Sequence, residues 1–216
     1  MTRLLLFSDL HNDLAATERL VRSAADVDIV VGAGDFCQAR RGISATLDIL
    51  SQITTPAVLV PGNAESVEEL VAAAKPWRSA HVLHGSGITI AGLQFFGLGG
   101  GIPRAIGDWS YEFTEDEASA LLMDSPSGGV LVTHTPPRGV VDATVAGSRI
   151  GSTAVRALVE EKQPVLVVCG HVHNCWEQQA FIGRTAVVNA GPRGMPWSLD
   201  LGGSPSPAPH GLSHEL

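Results

Sequence analysis

Apolar runs of strand length recur along this chain, and most stop at a small polar or glycine cluster that leads into a helix-like stretch. Leu4 to Phe7 stops at Ser8-Asp9-Leu10-His11-Asn12-Asp13, Asp28 to Val31 at Gly32-Ala33-Gly34-Asp35, and Ala57 to Val60 at Pro61-Gly62-Asn63-Ala64-Glu65. That alternation is the cadence of a layered α/β fold. Between the runs, Leu14, Thr17, Val21 and Ala24 share one helical face, a helix is expected over Ser44 to Gln52, and Ser66 with Glu69 reads as a capping box opening a third.

The middle of the chain has a different texture. His81 to Leu83, Gly87 to Ala91 and Leu93 to Leu98 are short runs separated by turn residues, as expected of antiparallel strands, and a second sheet is expected to begin there. Thr114 with Glu117 forms another capping-box pattern for a helix reaching Met123, and Gly129 to Thr133 is a strand that ends at His134. Ser152 to Lys162 reads as a helix stopped before Pro164, and Val165 to Cys169 as the strand delivering Gly170-His171-Val172-His173; Phe181-Ile182 and Thr185 to Asn189 complete the β content.

A length of 216 residues favours one large domain, here residues 1–200, followed by a Pro/Gly/Ser-rich tail over 201–216 that is expected to be mobile and to carry His210 and His214 into solvent. With 44% hydrophobic and 17% charged residues the chain suits a packed core. Its 14 basic against 22 acidic residues give a net charge of −8, which supplies no general positive field for a nucleic-acid backbone. Three cysteines, Cys37, Cys169 and Cys175, make no disulfide framework and fit reduced thiols. The first apolar run is too short for a secretory leader, and no apolar run approaches the roughly 18 residues of a membrane span, so a cytoplasmic location without membrane partners is expected.

The polar residues fall in a telling place. Asp9, His11, Asp35, Asn63, His134, His171 and His173 all lie within a few residues of the C-terminal end of an expected strand, and such ends share the edge of an α/β sheet where ligands bind. Any one Asp-x-His or His-x-His is ordinarily turn chemistry; five clusters in one chain are not so easily dismissed. Converging, they offer carboxylates, imidazoles and one neutral amide, the mixed O/N set preferred by manganese, iron or zinc. Seven such groups exceed what one ion needs and suit two, the arrangement that holds both the attacking and departing oxygens of an in-line displacement at phosphorus.

The ordered set Asp9-x-His11, Gly34-Asp35, Gly62-Asn63-x-Glu65, Thr133-His134 and Gly170-His171-x-His173 resembles the calcineurin-like metallophosphoesterases, and Thr133 to Pro137, Gly151-Ser152 and Val188 to Pro192 resemble a compact, phosphodiesterase-like branch of them. The resemblance implies a four-layer α/β/β/α sandwich of two mixed sheets flanked by helices. It implies one metal held by Asp9, His11 and His173, a second by Asn63, His134 and His171, and Asp35 bridging, with a metal-bridging hydroxide attacking phosphorus in line. The ions implied are two divalent or trivalent transition metals. One position departs from the family: the third motif usually carries a histidine after its asparagine, and here Ala64 stands there, which cannot donate a proton.

General acid help is typically worth 10²–10⁴-fold, so its loss shifts the expected substrate towards phosphodiesters with good leaving groups, including nucleotide-type small molecules. His81 and His84 are the histidines nearest strand ends that could substitute, although a surface or edge role suits both. Asn12, Asn63 and Arg138 are candidate substrate contacts; Asn12 could equally be a helix N-cap and Arg138 a solvated loop charge. Cys37 follows Asp35 closely enough to line the rim, without the marks of a nucleophile, and Leu98 to Ile102 reads as a turn beneath the centre, since a P-loop lysine is absent. Two alternatives stay open: a phosphomonoesterase or protein phosphatase, and a non-catalytic metal-binding scaffold, which Ala64 favours. The sequence leaves monomer and homo-oligomer equally open.

Overall fold

The computed structural model describes residues 1–200 and the short strand Ser206–Pro207. Strands β1 (Thr2–Phe7), β2 (Ile29–Gly32), β3 (Ala57–Leu59) and β4 (Ala80–Val82) run parallel in one sheet, connected by α1 (Leu14–Ser23), α2 (Ile43–Leu50) and α3 (Val67–Ala74). In the second sheet, β6 (Leu93–Leu98), β7 (Val130–Thr133), β8 (Leu166–Cys169) and β10 (Thr185–Asn189) are parallel, with β5 (Ser86–Ile90) and β9 (Gln179–Ile182) antiparallel at the edges. Helices α4 (Glu115–Leu122) and α5 (Thr153–Lys162) accompany it. Beyond β1, the first sheet continues antiparallel through β11 (Met195–Leu199) to β12 (Ser206–Pro207).

Period-two alternation sorts the side chains into layers. Leu4, Leu6, Ile29 and Val31 point into the space between the sheets and meet Phe95, Val130, Val132 and Val168 from the other side. Their neighbours Leu5, Phe7 and Val30 face outward onto Leu20, Leu47 and Leu70 of α1, α2 and α3, while Leu131 and Val167 face Leu122 and Val159 of α4 and α5. The result is helix, sheet, sheet, helix. Each fully buried Val, Leu or Ile contributes about 1.5–3 kcal/mol, and most of the centre of this chain is such residues.

Several local expectations are met to the residue. Ser66 with Glu69 and Thr114 with Glu117 form both arms of a capping box, and the Ser152 hydroxyl accepts the Val155 N–H to open α5. Others are corrected. Ala80–Val82 is no part of the second sheet: it pairs parallel with β3, because α3 completes a β-helix-β crossover and returns the chain to the first sheet. The helix after the first motif is capped by Asp13, whose side chain accepts the Ala16 N–H, so Asn12 is not the cap. Its buried face is Ala16, Thr17 and Leu20, while Leu14, at the first helical position, is 42% exposed. Strand β11 is one the sequence did not announce, since Pro196 within it reads as a breaker. Apart from Ser206–Pro207, the tail expected over 201–216, with His210 and His214, lies outside the described residues. No described helix is long and apolar enough to cross a membrane.

Candidate metal centre

Because the central strands of each sheet are parallel, their C-terminal ends open onto one edge, and each end delivers a polar loop. Asp9 and His11 follow β1, Asp35 follows β2, Asn63 follows β3, His134 follows β7, and His171 and His173 follow β8. Backbone bonds join these loops within each sheet, and a backbone-to-carboxylate bond joins the two sheets. The Asp9 N–H donates to Gly34 O (2.9 Å), the His11 N–H to Asp35 O (3.0 Å), the Gly170 N–H to His134 O (3.0 Å), and the His171 N–H to Asp9 Oδ1 (3.0 Å). Asp9, His11, Asp35 and His171 all sit at positive φ, between 45° and 66°, where only a few per cent of non-glycine residues are found. Four of the seven expected ligands thus carry backbone strain, of the kind that clusters at functional sites.

The side chains gather into two groups. In the first, His11 donates Nδ1–H to the Cys37 carbonyl (3.1 Å), which leaves a lone pair on Nε2; that atom faces His173 Nε2 at 3.1 Å and Asp35 Oδ2 at 3.4 Å. Asp9 Oδ1 lies 3.7 Å from His173 Nε2. In the second, His134 donates Nδ1–H to Ala33 O (2.8 Å) and turns Nε2 towards Asn63 Oδ1 (3.1 Å) and Asp35 Oδ1 (3.4 Å). Asn63 Oδ1 is also 2.9 Å from His171 Nδ1, because the amide's nitrogen end is turned away to the Ser110 hydroxyl (3.2 Å). Ligand atoms of Asp9, His11 and His173 fall within 4.8 Å of one another, as do those of Asp9, Asp35 and His134. Asp35 thus directs one oxygen to each group, while Asp9 is close to both.

Lone pairs facing lone pairs at these distances require a positive charge between them, and this donor set of carboxylate, imidazole and amide oxygen fits transition-metal ions. Without a metal a proton takes that part. Burial acts to lower the His134 imidazole, but the Asp35 carboxylate beside it outweighs burial and lifts it to about 9. Burial likewise acts to raise Asp35, yet the His134 and His11 charges and the Ala64 N–H hold it below the usual carboxylate range. Burial and the neighbouring His134 charge push His171 down to about 3, and burial lowers His173. Both are neutral at physiological pH, the state in which imidazole is a ligand.

Beneath the ligands is a residue quoted in the motif but given no role by sequence reasoning. Glu65 is fully buried, and its Oε1 accepts the N–H groups of Asp35 (2.8 Å) and Gly62 (2.7 Å), while Oε2 accepts that of Cys37 (3.3 Å). Burial, then the Asp35 charge, raise its carboxyl to about 7. Gly62 must be glycine because a Cβ there would occupy the space of Asp35 Oδ1 and N. Asn189 ties the last ligand loop from behind, its amide donating to Gly170 O (3.0 Å) and Val172 O (3.1 Å).

The remaining candidates separate. Ala64 is buried; its N–H binds Asp35 Oδ1 (2.8 Å) and its carbonyl accepts from Arg40 N (2.7 Å) and Cys37 Sγ (3.0 Å), so the loop bearing Arg40 covers the position. Cys37 is therefore interior and not at a rim, and burial, then Glu65, push its thiol up. The three cysteines are all buried and unbridged. Asn12 spends its amide on Arg41 O (2.9 Å) and the Thr46 hydroxyl (3.3 Å), tying α2 to the first motif. Arg138 is exposed, and its guanidinium makes no ion pair among the described residues. His84 packs against Phe113 and Tyr111 and accepts the Gly99 N–H (3.2 Å), an edge role; His81 is exposed. The glycine run after β6 lies under the centre: the Gly100 N–H donates to Pro61 O (3.0 Å), and a Cβ at Gly101 would meet Asn63 Cβ at 3.3 Å.

Comparison with known proteins bears on the family and the fold. The sequence model described as "Calcineurin-like phosphoesterase" matches residues 2–175. No curated protein matches. Among solved structures, the protein TT1561 of Thermus thermophilus superposes with a TM-score of 0.69 at 21% identity, over 89% of this chain and 90% of that one. A dimetal phosphatase from Danio rerio gives 0.62 at 15% identity over 92% of both chains. The phosphopantetheinyl hydrolase of Mycobacterium tuberculosis gives 0.54 at 15% identity, over 89% and 90%. At these identities the likeness is one of fold.

Proposed function

The chain belongs to the calcineurin-like phosphoesterase family, and from that premise we propose that it is a dinuclear metal-dependent hydrolase of small-molecule phosphodiesters. The carrying observation is the Asp35 carboxylate, whose two oxygens face His11 and His134 at 3.4 Å each and so address both ligand groups from one side chain. Asp9, His11 and His173 would hold one ion and Asn63, His134 and His171 the other. A pair of bound transition ions, Mn, Fe or Zn, would supply an activated water and offset charge on the phosphoryl oxygens. A dimetal phosphatase among the structural neighbours supports a pair.

The chain's own residues then decide which ester reacts. Backbone carbonyls fix two of the four imidazoles: Cys37 O holds His11 and Ala33 O holds His134, so their second nitrogens stay aimed inward. Ala64, buried beside the centre, offers a methyl where a proton donor would stand. A leaving group must depart without that proton, which favours activated diesters over alkyl monoesters. At the rim, the loop that brings Ser110 to Asn63 also exposes Ile106 and Trp109, apolar surface suited to an aromatic or otherwise apolar leaving group. Arg138, exposed four residues past His134, would meet phosphate charge.

The test is hydrolysis of bis-p-nitrophenyl phosphate with and without Mn²⁺, alongside p-nitrophenyl phosphate and a nucleotide panel. Metal-dependent turnover of the diester is expected, abolished in Asp35→Asn and His134→Ala. Bound metal with no turnover would instead support the scaffold reading that Ala64 favours, and preference for the monoester would support a phosphatase.

A further inference from the structure

Trp176 lies outside every ligand motif, three residues past His173 and just after the 3₁₀ turn His173–Cys175. Its indole Nε1–H donates to Asp9 Oδ2 (3.1 Å), and its ring lies against the His173 imidazole with centroids 4.6 Å apart and planes inclined by 32°. Gly191, at φ +64°, makes room for it, since a Cβ there would come within 2.9 Å of Trp176 Cβ and Cγ. Asp9 Oδ2 takes a second bond from the Ser8 hydroxyl (2.6 Å), so this oxygen is fully occupied by protein donors and Oδ1 is the one left facing His173. One side chain thus sets the direction of a carboxylate and the plane of an imidazole that belong to the same ligand group. Its indole neither hydrogen-bonds to nor stacks on Asn63, His134 or His171.

We infer that Trp176 is a positioning residue specific to the Asp9–His11–His173 site, holding two of its three ligands in register and leaving the Asn63–His134–His171 site untouched. The inference rests on the metal-dependent reading above. Groups that orient metal ligands from behind typically govern 10–100-fold in metal affinity, whereas a residue needed only for packing would change folding stability without preferring one site.

The experiment is Mn²⁺ titration of chelator-stripped protein by calorimetry, with free Mn²⁺ followed by electron paramagnetic resonance, on wild type, Trp176→Phe and Trp176→Ala. Trp176→Phe keeps an aromatic ring against His173 and loses the N–H together with part of the ring's bulk. It is expected to weaken one of two Mn²⁺ sites about tenfold with the other unchanged, and Trp176→Ala to weaken the same site further. The wild-type minus Trp176→Phe fluorescence difference should respond to Mn²⁺ at the stoichiometry of that site. Two sites of wild-type affinity in Trp176→Phe, or equal weakening of both, overturns the inference. Wild-type protein that takes up no Mn²⁺ overturns the metal-dependent reading itself, and Trp176→Phe keeps the question answerable if Trp176→Ala does not fold.

Discussion

Glu65 is the residue whose removal should do most damage for its size. Its carboxylate accepts from three buried N–H groups, two of them flanking or belonging to the site: Asp35 and Gly62 on Oε1, Cys37 on Oε2. A buried donor left without a partner costs about 1–3 kcal/mol. Glu65→Gln can keep its amide oxygen at the Oε1 position and serve Asp35 and Gly62, but then sets an NH₂ against the Cys37 N–H, one lost bond and about 2 kcal/mol. Glu65→Ala strands all three donors and opens a cavity, and even with water admitted to it the loss should reach about 3–5 kcal/mol. That is a large part of the roughly 5–15 kcal/mol that holds a domain together. Urea unfolding of chelator-treated protein, read by far-UV circular dichroism, gives both values as midpoint shifts at constant slope. A Glu65→Ala protein within about 1 kcal/mol of wild type would refute the view that this carboxylate holds the Asp35 loop in place.

Three more predictions test the centre from other sides. Gly62→Ala puts a methyl into the space of Asp35 Oδ1, so Mn²⁺ uptake measured by calorimetry should fall at least tenfold while the far-UV spectrum persists; normal uptake would contradict the packing. In metal-free protein, Glu65 is raised to about 7 and His134 to about 9. Each binds its proton more tightly folded than unfolded, so their stabilisation is present at low pH and lost as pH rises through those values. The melting temperature of the stripped protein should therefore fall between about pH 6 and pH 9, and a rise over that range would exclude this pattern. Finally, saturating either ion site at 100 times its Kd should add about 2.7 kcal/mol; at roughly 2–4 °C per kcal/mol each occupied site raises a Mn²⁺-loaded melting curve by about 5–10 °C, a rise absent in Asp35→Asn.

What the chain displays openly is what a single local pattern can encode. Strand-length apolar runs broken by polar clusters located β1, β2, β3, β7 and β8, and a hydroxyl residue three before a glutamate located the starts of α3 and α4, because the capping bonds are made within four residues. The polar clusters at strand ends pointed to one edge, and the structure brings them there. Long-range choices are less visible. Ala80–Val82 has nothing in its own letters to say which sheet it joins, and Met195–Leu199 pairs with the first strand across almost the whole chain despite its proline. Trp176 is silent in the sequence and Glu65 stands in a motif without a role, since what matters about each is a partner far off in sequence: Asp35 for Glu65, Asp9 for Trp176.

The strained backbone explains why so many of these supporting groups exist. Holding Asp9, His11, Asp35 and His171 at positive φ costs of order 1 kcal/mol or more apiece, less for Asp and His than for bulkier residues but together comparable with the whole margin of stability. Such strain survives only where other bonds over-determine it. Here each strained residue is held by another part of the same centre: Asp9 N–H by the carbonyl of Gly34, His11 N–H by that of Asp35, Asp35 N–H by Glu65, and His171 N–H by the Asp9 carboxylate. The ligands are in this sense one another's scaffold, and the chain closes the loop by bringing β1 and β8, from different sheets, to the same edge. A change at any of these four positions should consequently be felt at the ligand loop whose bond holds it, which is why a substitution behind the centre at Glu65, which holds Asp35, is as informative as one in it.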